Sequence, residues 1–173
     1  MNRLLLFMLA VVFASCSTTI QSNKSKDFNE KIKKFYAVIK VADNSGNFVP
    51  GFSKVLQEGL TKRGVEIQFD VINPLALENE QDLVKRISES KADALLIVSQ
   101  TESVTYASPD YNYGRGERAS GGSFDVKIFV PGNDRPVWRG LMKSSTGGYG
   151  SIGVVAKTSA ESIIQRLIED GMI

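Results

Sequence analysis

Histidine is absent from all 173 residues, and cysteine occurs once, at Cys16. These two counts remove most of the catalytic inventory. A nucleophilic triad needs an imidazole to take the proton from its serine or cysteine. The common zinc sites draw on histidine and several thiolates, and a single thiol closes no internal disulfide. The remaining groups able to move protons are carboxylates, among them Asp43, Asp70, Asp110, Glu117, Asp125 and Asp134. A glycosidase-type hydrolase needs two of these facing one another across a cleft. Most of them stand in turn-like stretches, where aspartate is expected for its backbone hydrogen bonding. Asp43-Asn44-Ser45-Gly46-Asn47 lacks the EF-hand spacing and its closing glutamate. Gly114-Arg115-Gly116 and Gly147-Gly148-Tyr149-Gly150 match neither the Walker nor the dinucleotide pattern. No metal, nucleotide or other cofactor is expected, and a carboxylate hydrolase stays open as an alternative.

A second group of residues fits binding. Tyr106, Tyr111, Tyr113, Arg115 and Arg118 stand among serine, asparagine and glycine, and Tyr149 lies in a later glycine-rich link. Tyrosine and arginine combine a large contact area with polar tips, and they are enriched at protein interfaces. The same aromatics are able to stack on sugar faces, which keeps a peptidoglycan or other glycan platform as an alternative. A third reading is a long hairpin tip with aromatic pairs on its stem. The side-chain charge of 21 basic against 19 acidic residues, +2, argues against a dedicated nucleic-acid binder. Trp138 and Arg139 are neighbours on an expected strand, so they point to opposite faces. Trp138 is expected under a helix, and Arg139 in solvent or paired with an acid.

The amino terminus reads as an address. Arg3 precedes an apolar run of eleven residues, Leu4 to Ala14. That length suits the h-region of a signal peptide and is too short to span a bilayer. Phe13-Ala14-Ser15-Cys16 follows and resembles the lipobox of bacterial lipoproteins, with phenylalanine where leucine is most common. The resemblance implies cleavage before Cys16, diacylation of its thiol and acylation of the new amine. Two or three acyl chains would hold the chain at a membrane stably, as one chain does not. Val12-Phe13-Ala14 also suits ordinary signal peptidase, and an uncleaved amino-terminal helix is the plainest alternative. Ser17 replaces the aspartate that retains enterobacterial lipoproteins at the inner membrane. The resemblance therefore implies the outer membrane, with the domain in the periplasm.

Residues 16–30 read as the acylated cysteine and a flexible polar tether, because they carry too little apolar surface to fold alone. Residues Ser17 to Asn29 would reach at most roughly 40 Å. Lys31, Lys33 and Lys34 form a basic run, read as a solvated domain edge or as a surface for anionic lipid heads.

The rest, residues 31–173, reads as one domain. Phe35 to Ala42 is a nearly continuous apolar strand, of the kind covered on both faces. Phe48, Phe52, Val55, Leu56 and Leu60 recur at helical spacing, with Pro50 at the entry and Gly64 as the stop. Val65 to Ile72 alternates as a strand, and Leu83, Val84 and Ile87 give a short amphipathic helix. Ala92 to Thr101 is a buried strand, which Ser103 to Ala107 would extend. Pro109 to Gly122 is polar and glycine-rich. Ser123 to Val130 and Pro136 to Ser144 form a hairpin around Pro131-Gly132-Asn133-Asp134. Ile152 to Ile168 is the last helix, ended by Gly171.

The order β-α-β-α-β-β-β-α predicts an α/β fold with α+β character in its second half. It implies a mixed sheet of about five strands packed with three helices. Ala92-Asp93-Ala94-Leu95, the Tyr111 to Gly122 loop and Pro136-Val137-Trp138-Arg139-Gly140 resemble phrases of small periplasmic lipoproteins. The architecture is similar to the amino-terminal domain of TolB and of envelope assembly lipoproteins. That likeness implies a non-catalytic role in scaffolding or assembly, with a protein of the envelope as partner.

Overall fold

The computed structural model describes residues 16–41, 48–72, 80–107, 118–146 and 152–173. Six strands form one mixed sheet: β1 (Cys16–Lys24), β2 (Lys34–Lys40), β3 (Glu66–Ile72), β4 (Ala94–Ala107), β5 (Arg118–Phe129) and β6 (Trp138–Thr146). Three helices accompany them among the described residues: α1 (Phe48–Thr61), α2 (Glu80–Glu89) and α3 (Ile152–Glu169). The strand order is β1-β6-β5-β4-β2-β3. The crossovers through α1 and α2 make β2 parallel to both β3 and β4. Beyond β4 all pairing is antiparallel. The expected α/β class, the element order and the three helices are therefore present.

The expected count of about five strands rises to six because Cys16–Lys24, read as a tether, is β1. It pairs along its whole length with β6, from Cys16 opposite Thr146 to Lys24 opposite Trp138. Its side chains are too polar to drive folding alone, but β6 offers a ready row of backbone donors and acceptors. A second difference concerns Arg118–Gly122, expected within a loop. These residues begin β5, against Ala107–Ser103 of β4. Glycine and serine here replace the apolar alternation that would mark a strand.

One face of the sheet carries the core. Phe35, Ala37 and Ile39 of β2, Leu96 and Val98 of β4, Val126 and Ile128 of β5, and Trp138 and Met142 of β6 are buried beneath α1 and α3. The helices meet them through Phe52, Leu56 and Leu60 of α1 and Ala160, Ile163 and Leu167 of α3. Phe48 stacks on Phe52 and on Phe124, with centroids 5.5 and 5.1 Å away. Pro50 lies in the first turn of α1, where its missing N–H costs no helical bond. Gly171 ends α3 with φ of 65°, and Met172 then turns back to be fully buried.

The opposite face is covered in part. α2 lies over β2 and β3, fixed by Arg86 Nε donating to Asp70 Oδ2 at 2.8 Å. Tyr36 Oη donates to the same oxygen at 3.0 Å, and Tyr36 and Val38 are buried there. Val84, expected on the packed face of α2, is 63% exposed. On the core face Val71 of the edge strand β3, level with Ile39, is 52% exposed, and no element among the described residues covers it.

Candidate functional site

The uncovered part of that second face, over β4, β5, β6 and β1, is the most chemically distinctive surface among the described residues. Alternation puts Leu95 and Ile97, Asp125, Lys127 and Phe129, and Arg139 and Leu141 on it. Register brings them into rows. Leu95 pairs with Phe129, Ile97 with Lys127, and Asp125 with Leu141, while Lys127 stands opposite Arg139. Two cations facing across a strand pair repel. Asp125 resolves this from two residues along β5. Its Oδ1 accepts from Arg139 Nε at 2.8 Å, and its Oδ2 accepts from Arg139 Nη2 and Lys127 Nζ, each at 3.0 Å.

Asp125 is nearly buried in this arrangement, whereas the Arg139 side chain is 53% exposed. Burial alone would raise the Asp125 carboxyl. The hydrogen bonds from Arg139 and Lys127 outweigh it and hold the group below the ordinary aspartate range. Tyr36 moves the other way: burial, and then its bond to the Asp70 carboxylate, raise its phenol above the usual value. Around the charged cluster lie Leu95, Ile97 and Phe129, partly buried, and Leu141, 53% exposed. The guanidinium is thus held by a carboxylate on a face that also carries four apolar side chains.

Trp138, one residue from Arg139, faces the core as expected. Its indole Nε1 donates to Asp170 Oδ2 at 2.7 Å, at the end of α3. Gly140 makes room for it: a Cβ at that position would come within 2.6 Å of the indole ring. Ser22 Oγ donates to the same Asp170 oxygen at 2.5 Å, and Lys24 Nζ to the Asp170 carbonyl at 3.1 Å. Asp170 therefore ties β1, β6 and α3 together. Farther along, Thr18 Oγ1 lies 2.7 Å from Ser144 Oγ and 3.0 Å from Thr158 Oγ1. Arg166 Nη2 donates to the Ile20 carbonyl at 3.2 Å.

A shallow groove of about 620 Å³ runs between β1 and α3, lined by Thr18, Ile20, Thr158, Gln165, Arg166 and Glu169 among others. A second, of about 490 Å³, lies beside Arg139 and Leu141, against Gln21, Asn23 and Pro136. Among the described residues, neither is lined by an aromatic side chain. No three cysteine or carboxylate side chains gather as metal ligands among the described residues. Of the acidic candidates, Asp70 is engaged by Tyr36 and Arg86, and Asp125 by Lys127 and Arg139. β2 and β4 separate their strands, about 14 Å across three strand spacings. That is beyond the carboxylate separation a glycosidase uses. Asp134 sits in the exposed turn after β5, and Asp43, Asp110 and Glu117 lie outside the described residues.

Of the binding candidates, Tyr106 and Arg118 are placed by their backbone, at consecutive rungs of the β4–β5 pair. Tyr111, Tyr113, Arg115 and Tyr149 lie outside the described residues. Cys16 opens β1. Sequence reasoning flagged Asp125, and the pairing of Arg139 with an acid, separately. Their meeting follows from the hairpin register. The role of Asp170 is not legible in the sequence, because nothing local distinguishes it from the solvated end of a helix.

No protein-family model matches this chain, and no curated protein matches it. Solved structures do. A subunit of the PelC dodecamer from Paraburkholderia phytofirmans is similar over 86% of this chain and 98% of its own, with TM-score 0.56 and 14% identity. A variant of that protein matches with TM-score 0.57, 14% identity and coverage of 86% and 96%. A hypothetical protein from Chlamydia trachomatis matches with TM-score 0.46 and 14% identity, over 78% of this chain and 95% of its own. At such identity the PelC likeness shows a shared fold. The fold thus occurs in a bacterial protein that forms a dodecamer.

Proposed function

We propose that this chain is a non-catalytic envelope lipoprotein, acylated at Cys16 and held at the outer membrane, whose periplasmic domain docks a protein partner in a scaffolding or assembly role. The observation that carries the docking is the uncovered sheet face, where Arg139 is fixed by Asp125 and rimmed by Leu95, Ile97, Phe129 and Leu141. An arginine held beside apolar anchors is a common composition of a binding hot spot. The anchor rests on the apolar run from Leu4, the small residues after it and Cys16.

Two experiments test the two halves. Cys16→Ser should move the protein from the membrane fraction to the soluble one, and unchanged fractionation refutes the anchor. A photoreactive phenylalanine analogue at position 141 should crosslink in intact cells to an envelope protein, whereas the same group at Lys54 on α1 should not. The PelC subunit of like fold assembles into a dodecamer. A second copy of this chain is therefore a partner that the mass of the adduct has to separate from a different protein. Adducts at position 54 but none at 141 would refute docking on this face, and recovery of peptidoglycan fragments would favour the glycan reading.

A further inference from the structure

We infer that the acylated domain stands directly on the bilayer with β1 still paired, so that the end of the sheet at Cys16, with Tyr106 and Arg118, meets the lipid headgroups. The inference rests on the lipoprotein reading and concerns how such an anchor holds this fold.

The first rung of β1 is the anchor residue itself, Cys16 opposite Thr146. No spacer separates the acylation site from the sheet. Ser25 N donates to the Val137 carbonyl at 2.8 Å, which sets the phase of the ladder. By antiparallel alternation Ser17, Thr19, Gln21 and Asn23 direct their backbone groups to β6, while those of Thr18, Ile20, Ser22 and Lys24 face the open edge. These four residues are held from the core side as well: the Thr18 hydroxyl by Ser144 of β6 and Thr158 of α3, the Ile20 carbonyl by Arg166, and the Ser22 and Lys24 side chains by Asp170. β1 is fastened along its length, and a bilayer needs to meet only its first residue, so acylation gives no reason to peel the strand away.

Register then orients the domain. The pairing carries one row across four strands, Val104 of β4, Gly121 of β5, Ser145 of β6 and Ser17 of β1, and Cys16 stands one rung beyond it. Beyond that row β4 and β5 pair over three further rungs, Thr105 with Ser120, Tyr106 with Ala119 and Ala107 with Arg118. Acyl chains at Cys16 therefore bring Tyr106 and Arg118 to the level of the headgroups. Tyrosine is at home in that layer, with an apolar ring and a polar tip, and arginine suits anionic phosphates. Val154, in the first turn of α3, lies one helical turn above the Thr158 that bonds Thr18 and is 42% exposed. The far end, at Lys24 and the Val130–Val137 turn, stands roughly 30 Å away at 3.4 Å per residue. Lys34 opens β2 at that far end, its backbone N–H bonded to Asp93 at 2.9 Å. The basic run Lys31, Lys33 and Lys34, which read in sequence as a possible lipid contact, therefore faces away from the membrane.

The test uses the full acylated chain in vesicles of phosphatidylethanolamine and phosphatidylglycerol that carry a headgroup quencher. Since Cys16 is blocked by acylation, a single added cysteine takes an environment-sensitive dye. Quenching should be strongest for Tyr106→Cys, weaker for Lys143→Cys and absent for Asn133→Cys. Equal quenching at the three positions, or the reverse order, overturns the orientation. The Lys143 and Asn133 labels sit on exposed residues, so their order reports even if the Tyr106 variant does not fold. Pairing is tested with Thr18→Cys and Ser144→Cys together, a facing pair whose hydroxyls now touch. The disulfide should form as fully in the membrane-bound protein as in the same variant released by Cys16→Ser. A disulfide in the released form alone would mean that β1 peels on anchoring. If Cys16→Ser releases nothing, the lipoprotein reading itself has failed, an outcome distinct from either of these.

Discussion

β1 and β2 belong to one sheet and are held in it by different forces. β2 is flanked on both sides, and Phe35, Tyr36, Ala37, Val38 and Ile39 are all at most 6% exposed. Its side chains supply the driving force, because each apolar group leaves water on folding. β1 is an edge strand in which Ser17, Thr19, Gln21 and Asn23 are exposed. Its attachment consists of the ladder to β6 and the polar bonds to α3. A hydrogen bond adds little net stability in water, yet leaving a buried partner unpaired is costly. β1 therefore contributes modestly to global stability while its position is closely specified. A strand made of side-chain burial resists loss of backbone bonds better than loss of side chains, and β1 should behave in the opposite way.

The widest contrast comes from truncating the side chain at the centre of the burial. Phe35→Ala removes a fully buried ring from β2, at a cost of about 3–5 kcal/mol. Urea denaturation should show that loss as a lower midpoint. A drop below about 1 kcal/mol would mean that β2 is not held by its side chains. Asp170→Ala ranks next. It leaves the buried Trp138 indole N–H without its acceptor and releases Ser22. An orphaned buried donor costs about 1–3 kcal/mol. Hydrogen exchange should also speed up along β1 before it does along β2, and uniform acceleration would break the distinction between the strands. The third test separates backbone from side chain at one position. Gln21 directs its N–H to β6 while its side chain is exposed. Gln21→Pro removes that donor and should free β1 to exchange, whereas Gln21→Ala should stay within about 0.5 kcal/mol of the parent. Equal effects would show that the side chain matters after all.

The same contrast explains what the sequence makes legible. β2, β4, α1 and α3 are visible in it because burial leaves a pattern of apolar residues. The buried phenylalanines and leucines of α1 follow that pattern, with Phe48, Phe52, Leu56 and Leu60 all on the core side. β1 and the first five residues of β5 leave no such pattern. Cys-Ser-Thr-Thr-Ile-Gln-Ser-Asn-Lys has the composition of a linker, and only a partner edge in space makes it a strand. The opposed orientations of Trp138 and Arg139 are readable from alternation alone. The cluster of Asp125, Lys127 and Arg139 needs the hairpin register in addition, and the role of Asp170 needs the tertiary fold, because its partners lie on β1 and β6.

The smallest effect concerns charge on the open face, and it requires a change of pH to be seen. The Asp125 carboxyl is held below its ordinary value of about 3.9 by Arg139 and Lys127. At pH 7 the group is ionised whether the chain is folded or not. As pH falls through the unfolded value, the unfolded chain takes up the proton first, and the folded state loses its advantage until its own, lower value is passed. Stability from this group is thus present above about pH 4 and lost in acid. Asp125→Asn should lower the urea midpoint slightly at pH 7, because Lys127 and Arg139 then face each other without the carboxylate between them. The variant should also show a smaller further loss between pH 7 and pH 3 than the parent. An equal acid loss in both proteins would mean that the cluster does not couple to folding. Asp125 would then serve to hold Arg139 in place on the docking face, with its charge contributing nothing to the stability of the sheet.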